Sequence, residues 1–236
     1  MRIDKDSKLV VLTGAGVSAE SGLKTFRDND GLWENYHVEQ VATPEAFLAD
    51  PELVWRFYKQ RYFQLNEVKP NPAHHALKKL EDYLEDNLWL VTQNVDGLHL
   101  IAGNKNVIEM HGSLRTCFCS RCHQNYQMVE VNLDSAIPLC EKCGGYLRPD
   151  IVWFGEVPYH MGRIYNLLQN TDYFLVIGTS GIVYPAAGFL MIAMDSGART
   201  IGVNFEAPRN ASMIDEFHSG KAGEILPGLV ERWIGQ

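Results

Sequence analysis

The sequence predicts an α/β fold: a parallel sheet body with two inserts, one helical and one a small cysteine-held module. Three observations predict it. Short apolar runs alternate with helix-like stretches along most of the 236 residues. A glycine turn follows the first run directly. All five cysteines lie in one segment, 117–143, and four of them form two C-x-x-C pairs. Strands alternating with helices give a parallel sheet covered on both faces. The cysteine spacing falls within a zinc pattern. The expected architecture is therefore a Rossmann-like body with a smaller zinc-binding module and a helical insert.

The strands are expected at 9–13, 88–92, 107–110, 173–178 and 200–204. Each run is short, rich in branched or aromatic residues, and ends in polar residues or glycine. Helical patterns occupy 71–86, 159–169, 185–196 and 225–234. Segment 26–70 shows no clear strand and many aromatics, so it reads as inserted helices. The domain expectation is one catalytic unit over 1–236. Its body spans about 1–26, 71–112 and 150–236, its helical insert about 27–70 and its zinc module about 113–149.

The first strand runs into Gly14-Ala15-Gly16-Val17-Ser18-Ala19, a G-x-G-x-x-A turn placed before an expected helix. Glycines let backbone N–H groups approach a pyrophosphate, and a helix start favours its charge. The turn alone is also compatible with a tight strand-to-helix connection that binds nothing. A dehydrogenase fingerprint also needs an acidic residue at a second strand end, about 20 residues on. The stretch LWENYHVEQ around Glu34 and Glu39 does not look like a strand end. A dinucleotide used for something other than hydride transfer fits better.

Ligands of open parallel sheets sit beyond the carboxyl ends of the strands. Here those ends are polar: Thr92-Gln93-Asn94-Val95-Asp96, His111-Gly112, Gly178-Thr179-Ser180 and Asn204-Phe205-Glu206. One polar end would be an ordinary helix cap, whereas four on one rim make a lined crevice. His111 stands on that rim beside Asn94 and Asp96. An imidazole there can take a hydroxyl proton, although a lone histidine is more often structural.

Cys119-Ser120-Arg121-Cys122 and Cys140-Glu141-Lys142-Cys143 are separated by 17 residues. Four thiolates make a closed tetrahedral zinc site, structural because no position is left for water. Cys117 is left over, and the rival ligand set replaces one cysteine with His123 or Cys117. On a wheel of roughly 100° per residue, Arg61 falls among Val54, Phe57, Tyr58 and Leu65, on the apolar face of a helix over 51–65. A charge there needs a partner. It is either an internal salt bridge or, with the Tyr58 hydroxyl, a receptor for a substrate carboxylate.

The net charge of −8 argues against direct nucleic-acid binding and leaves room for lysine-bearing protein partners. The opening MRIDKDSK, charged and without an apolar region, is not expected to be a signal peptide. The longest apolar stretch, 182–194, holds Pro185 and Gly188 and is too short to span a bilayer. A soluble, cytoplasmic protein is expected.

Taken together, GAGVSAESGLKTFR, TQNVDGLH, the His111-Gly112 pair, the two C-x-x-C pairs, VWFGE, GTSGIVYPAAGF and NFE resemble the sirtuins, NAD-dependent protein lysine deacylases. The resemblance covers nearly the whole chain. It is nearest to the class III branch, which removes acidic acyl groups such as succinyl and malonyl, because Tyr58-Lys59-Gln60-Arg61 matches that branch's Tyr-x-x-Arg element.

The resemblance implies roles residue by residue. Gly14, Ala15, Gly16, Ser18, Ala19, Glu20, Phe26, Arg27 and Trp33 would hold NAD on the diphosphate and nicotinamide-ribose side, with Phe26 shielding the ribosyl carbon. Gln93, Asn94 and Asp96 would line the ribose and nicotinamide pocket. Gly178, Thr179, Ser180, Asn204, Glu206 and Ala222 would surround the adenosine half. Val152, Phe154, Gly155 and Glu156, in an extended 152–156 segment, and Val183, in a strand-like 181–184, would sandwich the acyl-lysine peptide by strand addition.

His111, Asn94 and Asp96 would be catalytic, His111 by taking a ribose hydroxyl proton. Products would be free lysine, nicotinamide and O-acyl-ADP-ribose. Cys119, Cys122, Cys140 and Cys143 would bind one structural zinc, and the protein would be monomeric. Val38 stands where the branch pattern has a smaller alanine, which narrows the acyl pocket and implies activity on both acetyl and succinyl lysine. A mono-ADP-ribosyltransferase and a non-catalytic NAD or acyl-lysine binding module are the alternatives.

Overall fold

A computed structural model describes residues 2–23, 32–33, 36–179, 185–206 and 213–235, with 32 and 33 by backbone alone. Strand β1 (Leu9–Thr13) leads not into the expected helix but into two single 3-10 turns, Ala15–Val17 and Ala19–Ser21. The first turn follows Gly14, which has no side chain to cap it, and the second follows Ser18, whose hydroxyl donates to Asp96 instead; Gly22, at φ 94°, ends the second. Within the insert expected to lack strands, β2 (Leu32–Trp33) and β3 (Tyr36–His37) form a short antiparallel pair. Two residues per strand are too few to show a period-2 pattern.

Helices α1 (Val38–Val41), α2 (Pro44–Ala49), α3 (Pro51–Gln64) and α4 (Pro72–Leu84) follow. The last three begin with a capping side chain followed by proline. Thr43, Asp50 and Asn71 accept from Ala46 N, Leu53 N and Ala73 N at 3.1, 2.9 and 2.9 Å. Proline at the first position gives up an N–H that has no partner there in any case.

The rest of the chain gives β4 (Leu88–Thr92), α5 (Leu98–Ile101), β5 (Val107–Glu109), β6 (Gly112–Cys119), β7 (Asn125–Gln127) and β8 (Leu147–Ile151). Then come α6 (Met161–Gln169), β9 (Tyr173–Ile177), α7 (Phe189–Asp195), β10 (Arg199–Asn204), β11 (Glu216–Ser219) and α8 (Ala222–Ile234). The main sheet runs β11-β10-β9-β1-β4-β5 and every pairing is parallel.

Each side chain of β1 is buried because both faces are covered. Leu9 and Val11 pack under α4 and α8, with Leu77, Leu80, Leu226 and Trp233. Val10 and Leu12 pack under α6 and α7, with Ile164, Leu168, Phe189 and Leu190. The strand order reverses at β1, which lies between β9 and β4. This is the switch point beside which a crevice opens.

The helical insert and the cysteine module share one core. Trp55, Phe57 and Tyr58 of α3 pack with Leu114, Cys117, Met128, Leu147 and Trp153. The Trp55 indole N–H donates to Leu147 O at 2.8 Å and ties the two segments directly. Among the described residues, no helix is long and apolar enough to cross a membrane.

Candidate functional site

The polar strand ends converge at the switch point. Gly14 N donates to Ile177 O and Gly16 N to Gly178 O, at 3.0 and 2.9 Å, so the turn after β1 crosses the turn after β9. A Cβ on Gly14 would stand 2.8 Å from Gly178 O, and one on Gly16 2.7 Å from Gly178 Cα. The glycines are thus required by backbone crossing before any ligand is considered, a constraint that sequence alone does not reveal.

Asn94 and Asp96 are buried at the end of β4. Asn94 Nδ2 donates to Gly14 O and Ser18 Oγ, each at 3.1 Å. The Asp96 carboxylate accepts from Ser18 Oγ and Leu98 N, both at 2.8 Å. Burial raises the Asp96 pKa, and those two hydrogen bonds oppose the rise. On the other flank, Gln93 Nε2 donates to Thr179 Oγ1 at 3.2 Å and Asn204 Nδ2 to Thr179 O at 2.8 Å. Ala222 opens α8 nearby. Glu20 is exposed, and its carboxylate accepts from Gly223 N at 2.8 Å, which ties the glycine turn to α8.

His111 follows β5 on the same rim. Its Nδ1 lies 3.1 Å from Gln93 O. A carbonyl only accepts, so Nδ1 carries the proton and the neutral ring keeps its lone pair on Nε2. Burial lowers the His111 pKa, partly opposed by that carbonyl. Gly112 (φ 82°) must be glycine, since a Cβ would meet Asp150 O at 2.0 Å.

Segment 152–156, expected to be extended, is so only in part. It is tied to His111 by Val152 N to His111 O at 2.9 Å and to α1 by Phe154 N to Ala42 O at 3.0 Å. It does not stay extended: residues 154–156 turn, with Glu156 N bonded to Trp153 O at 3.0 Å. Glu156 faces inward, its two oxygens accepting from Arg148 Nη1 and Nη2 at 2.8 and 2.9 Å. That pair holds its pKa below the usual carboxylate range, against the effect of burial.

Tyr58 is fully buried on α3, and its hydroxyl oxygen accepts from Trp153 Nε1 at 3.0 Å. Burial raises the phenol pKa, so the hydroxyl stays protonated at neutral pH. Arg61, one turn on, is half-buried, its guanidinium 5.8 Å from the Phe57 ring centre. Of the other expected contacts, Phe26, Arg27, Ser180, Val183 and the Trp33 side chain lie outside the described residues, as does 181–184.

The four paired cysteines gather with all Sγ atoms within 4.8 Å of one another. Cys119 and Cys143 are 3.5 Å apart and Cys122 and Cys140 3.6 Å. A tetrahedron with Zn–S near 2.3 Å has edges of about 3.8 Å, so the set fits one zinc. Cys117 stays outside it, buried in the shared core with its thiol pushed up to about 12, and His123 is exposed. Gly145 backs the site: a Cβ there would meet Cys119 Sγ at 3.1 Å and Cys143 Sγ at 3.3 Å.

Two contributors were not anticipated from sequence. Asn71 donates to Val17 O at 2.8 Å and Ser21 Oγ at 3.0 Å, pinning the glycine turn to α4. Trp153 reaches Tyr58 across 95 positions. The Asn71-Pro72 cap signal marks the first as a helix start but says nothing of the turn it holds.

Residues 14–185 match the Sir2 family. An NAD-dependent protein deacylase of Bdellovibrio bacteriovorus is 49% identical over 229 residues, 96% of this chain and 96% of the relative. A solved Sir2 homolog–NAD complex is 41% identical with TM-score 0.86, covering 97% of this chain and 90% of that one. A solved Sir2–p53 peptide–NAD+ complex is 33% identical with TM-score 0.85, covering 95% and 92%.

Proposed function

The chain belongs to the Sir2 family, and we propose that it is an NAD-dependent protein lysine deacylase removing acetyl, succinyl and malonyl groups, with release of nicotinamide and O-acyl-ADP-ribose. The observation that carries the reading is the crevice at the switch point. There the glycine turn, buried Asn94 and Asp96, and a His111 ring with its lone pair on Nε2 stand on one rim. The whole chain, 1–236, acts as one catalytic unit.

NAD supplies an electrophilic ribosyl carbon and a leaving group. The chain's own residues do the rest. The turn at Gly14–Ser18, with Glu20 tied to α8, frames the diphosphate side, and Thr179, Asn204 and Glu206 frame the adenosine side. Asn94 and Asp96, tied to each other through Ser18, orient the nicotinamide ribose. His111 Nε2 accepts a ribose hydroxyl proton, while Gln93 holds the ring through Nδ1. The acyl-lysine peptide docks along 152–154, where the backbone N–H groups are already bonded, so pairing falls to the carbonyl oxygens. Zinc takes no chemical part, since four thiolates leave no open position.

Tyr58 and Arg61 form the receptor for an acidic acyl group: a protonated phenol and a cation one helical turn apart. Losing a hydrogen bond to a charged group costs about 1.5–3 kcal/mol, or roughly ten- to a hundredfold in rate. Tyr58→Phe and Arg61→Met are therefore each expected to lower kcat/KM on a succinyl peptide by that factor while sparing an acetyl peptide. Equal losses on both peptides would overturn the receptor. The −8 charge suits lysine-rich protein partners. The reading includes a monomeric, cytoplasmic enzyme without direct nucleic-acid contacts.

A further inference from the structure

We infer that Trp153 is a positioning residue for acyl selectivity: its indole N–H, fixed by an Arg148–Glu156 clamp, sets the direction of the Tyr58 hydroxyl. The inference rests on the reading of Tyr58 and Arg61 as the acyl receptor.

The clamp is built in layers. Arg148 is held by Glu156 through both guanidinium nitrogens at 2.8 and 2.9 Å, and Nη2 also donates to Ile151 O at 2.9 Å. Its flat face lies against the Trp153 ring, Cζ 3.5 Å from the ring centre, with Phe118 at 4.9 Å. The same carboxylate reaches the Trp153 backbone: N donates to Glu156 Oε2 at 2.8 Å. Phe47 closes the indole's other surroundings at 5.4 Å between ring centres. Both the main chain and the ring of Trp153 are thereby fixed, and the residue is 2% exposed.

What that rigidity does is decided at Tyr58. The indole N–H is a donor only, so at 3.0 Å it must be met by a lone pair of the phenol oxygen. The phenol proton is thereby directed away from Trp153. Burial keeps this proton on the oxygen, and a carboxylate placed beside Arg61 needs such a donor. Without the indole N–H, the hydroxyl could turn its proton toward the vacated side, and the acyl carboxylate would meet a lone pair for part of the time. A phenylalanine would fill most of the indole's space but could not make this bond. The pair thus has a role that packing alone does not require.

The test compares kcat and KM on succinyl- and acetyl-lysine peptides for wild type, Trp153→Phe, Tyr58→Phe and the double variant. Trp153→Phe is expected to lower the succinyl-to-acetyl ratio of kcat/KM roughly three- to tenfold, the size of one neutral hydrogen bond, with the loss in KM. In the Tyr58→Phe background it should have no further effect on that ratio. Arg148→Lys, which loses the bidentate fork but keeps the charge, should move the ratio in the same direction and covers a failure of Trp153→Phe to fold. An unchanged ratio in Trp153→Phe, or effects that multiply in the double variant, would overturn the inference while leaving the receptor standing. An unchanged ratio in Tyr58→Phe would overturn the receptor itself and this inference with it.

Discussion

His111→Ala is expected to lower deacylation roughly 10²–10⁴-fold, the usual worth of a positioned general base, or about 3–5 kcal/mol of barrier. The size follows from the geometry. Gln93 O fixes the ring through Nδ1 at 3.1 Å, so Nε2 is the atom available to accept a proton. The acid side of the pH profile carries a second signature. Below its pKa the ring is protonated at both nitrogens, and kcat/KM falls as pH drops through that value. Burial lowers the pKa from its ordinary value of about 6.5. Wild-type activity should therefore hold through neutrality and decline only below about 6.5. Nicotinamide release and peptide deacylation measured side by side across pH check both expectations. A His111→Ala variant that completes deacylation at the wild-type rate would remove His111 from the chemistry.

Removing the zinc is expected to abolish activity on every acyl peptide, although no reacting atom touches it. Structural zinc contributes folding energy outright, about 10–16 kcal/mol in zinc-finger peptides, against a whole-domain stability of about 5–15 kcal/mol. Cys119 and Cys140 sit in the same core as Trp55, Phe57, Tyr58 and Trp153. Loosening the thiolates is therefore expected to loosen α3 and the Tyr58–Arg61 pair proposed to receive the acyl group. Cys140→Ser should reduce bound zinc from one per chain to near zero, lower the Tm sharply and remove deacetylation and desuccinylation together. Metal analysis, thermal unfolding and the two peptide assays read this out. Full activity and Tm in metal-free protein would contradict it.

Both faces of the main sheet are covered, so the central strands β1, β4, β9 and β10 are largely apolar, and the edge strand β5 still carries the apolar pair Val107-Ile108; all five expected strands are present. β11 escaped because an edge strand of three half-exposed residues and one exposed, EFHS, has no apolar run. The helix expected after the glycine turn became two 3-10 turns because Ser18 is bonded to Asp96, 78 positions away. The rim itself was legible, since strand ends are local features and Asn94, Asp96 and His111 each lie at one. Glu156 was read as part of an extended peptide-binding edge, but its ion pair with Arg148 folds it inward. Local patterns carry no record of the partners that decide such cases. The same holds for Trp153, whose link to Tyr58 exists only in the folded core.

The most direct measurement is mass spectrometry of a succinyl-lysine peptide incubated with the protein and NAD. The peptide should lose the succinyl mass at lysine, with nicotinamide and O-succinyl-ADP-ribose formed in equal amounts. A peptide that gains ADP-ribose, or one left unaltered beside intact NAD, would contradict NAD-dependent deacylation of acidic acyl groups by this chain.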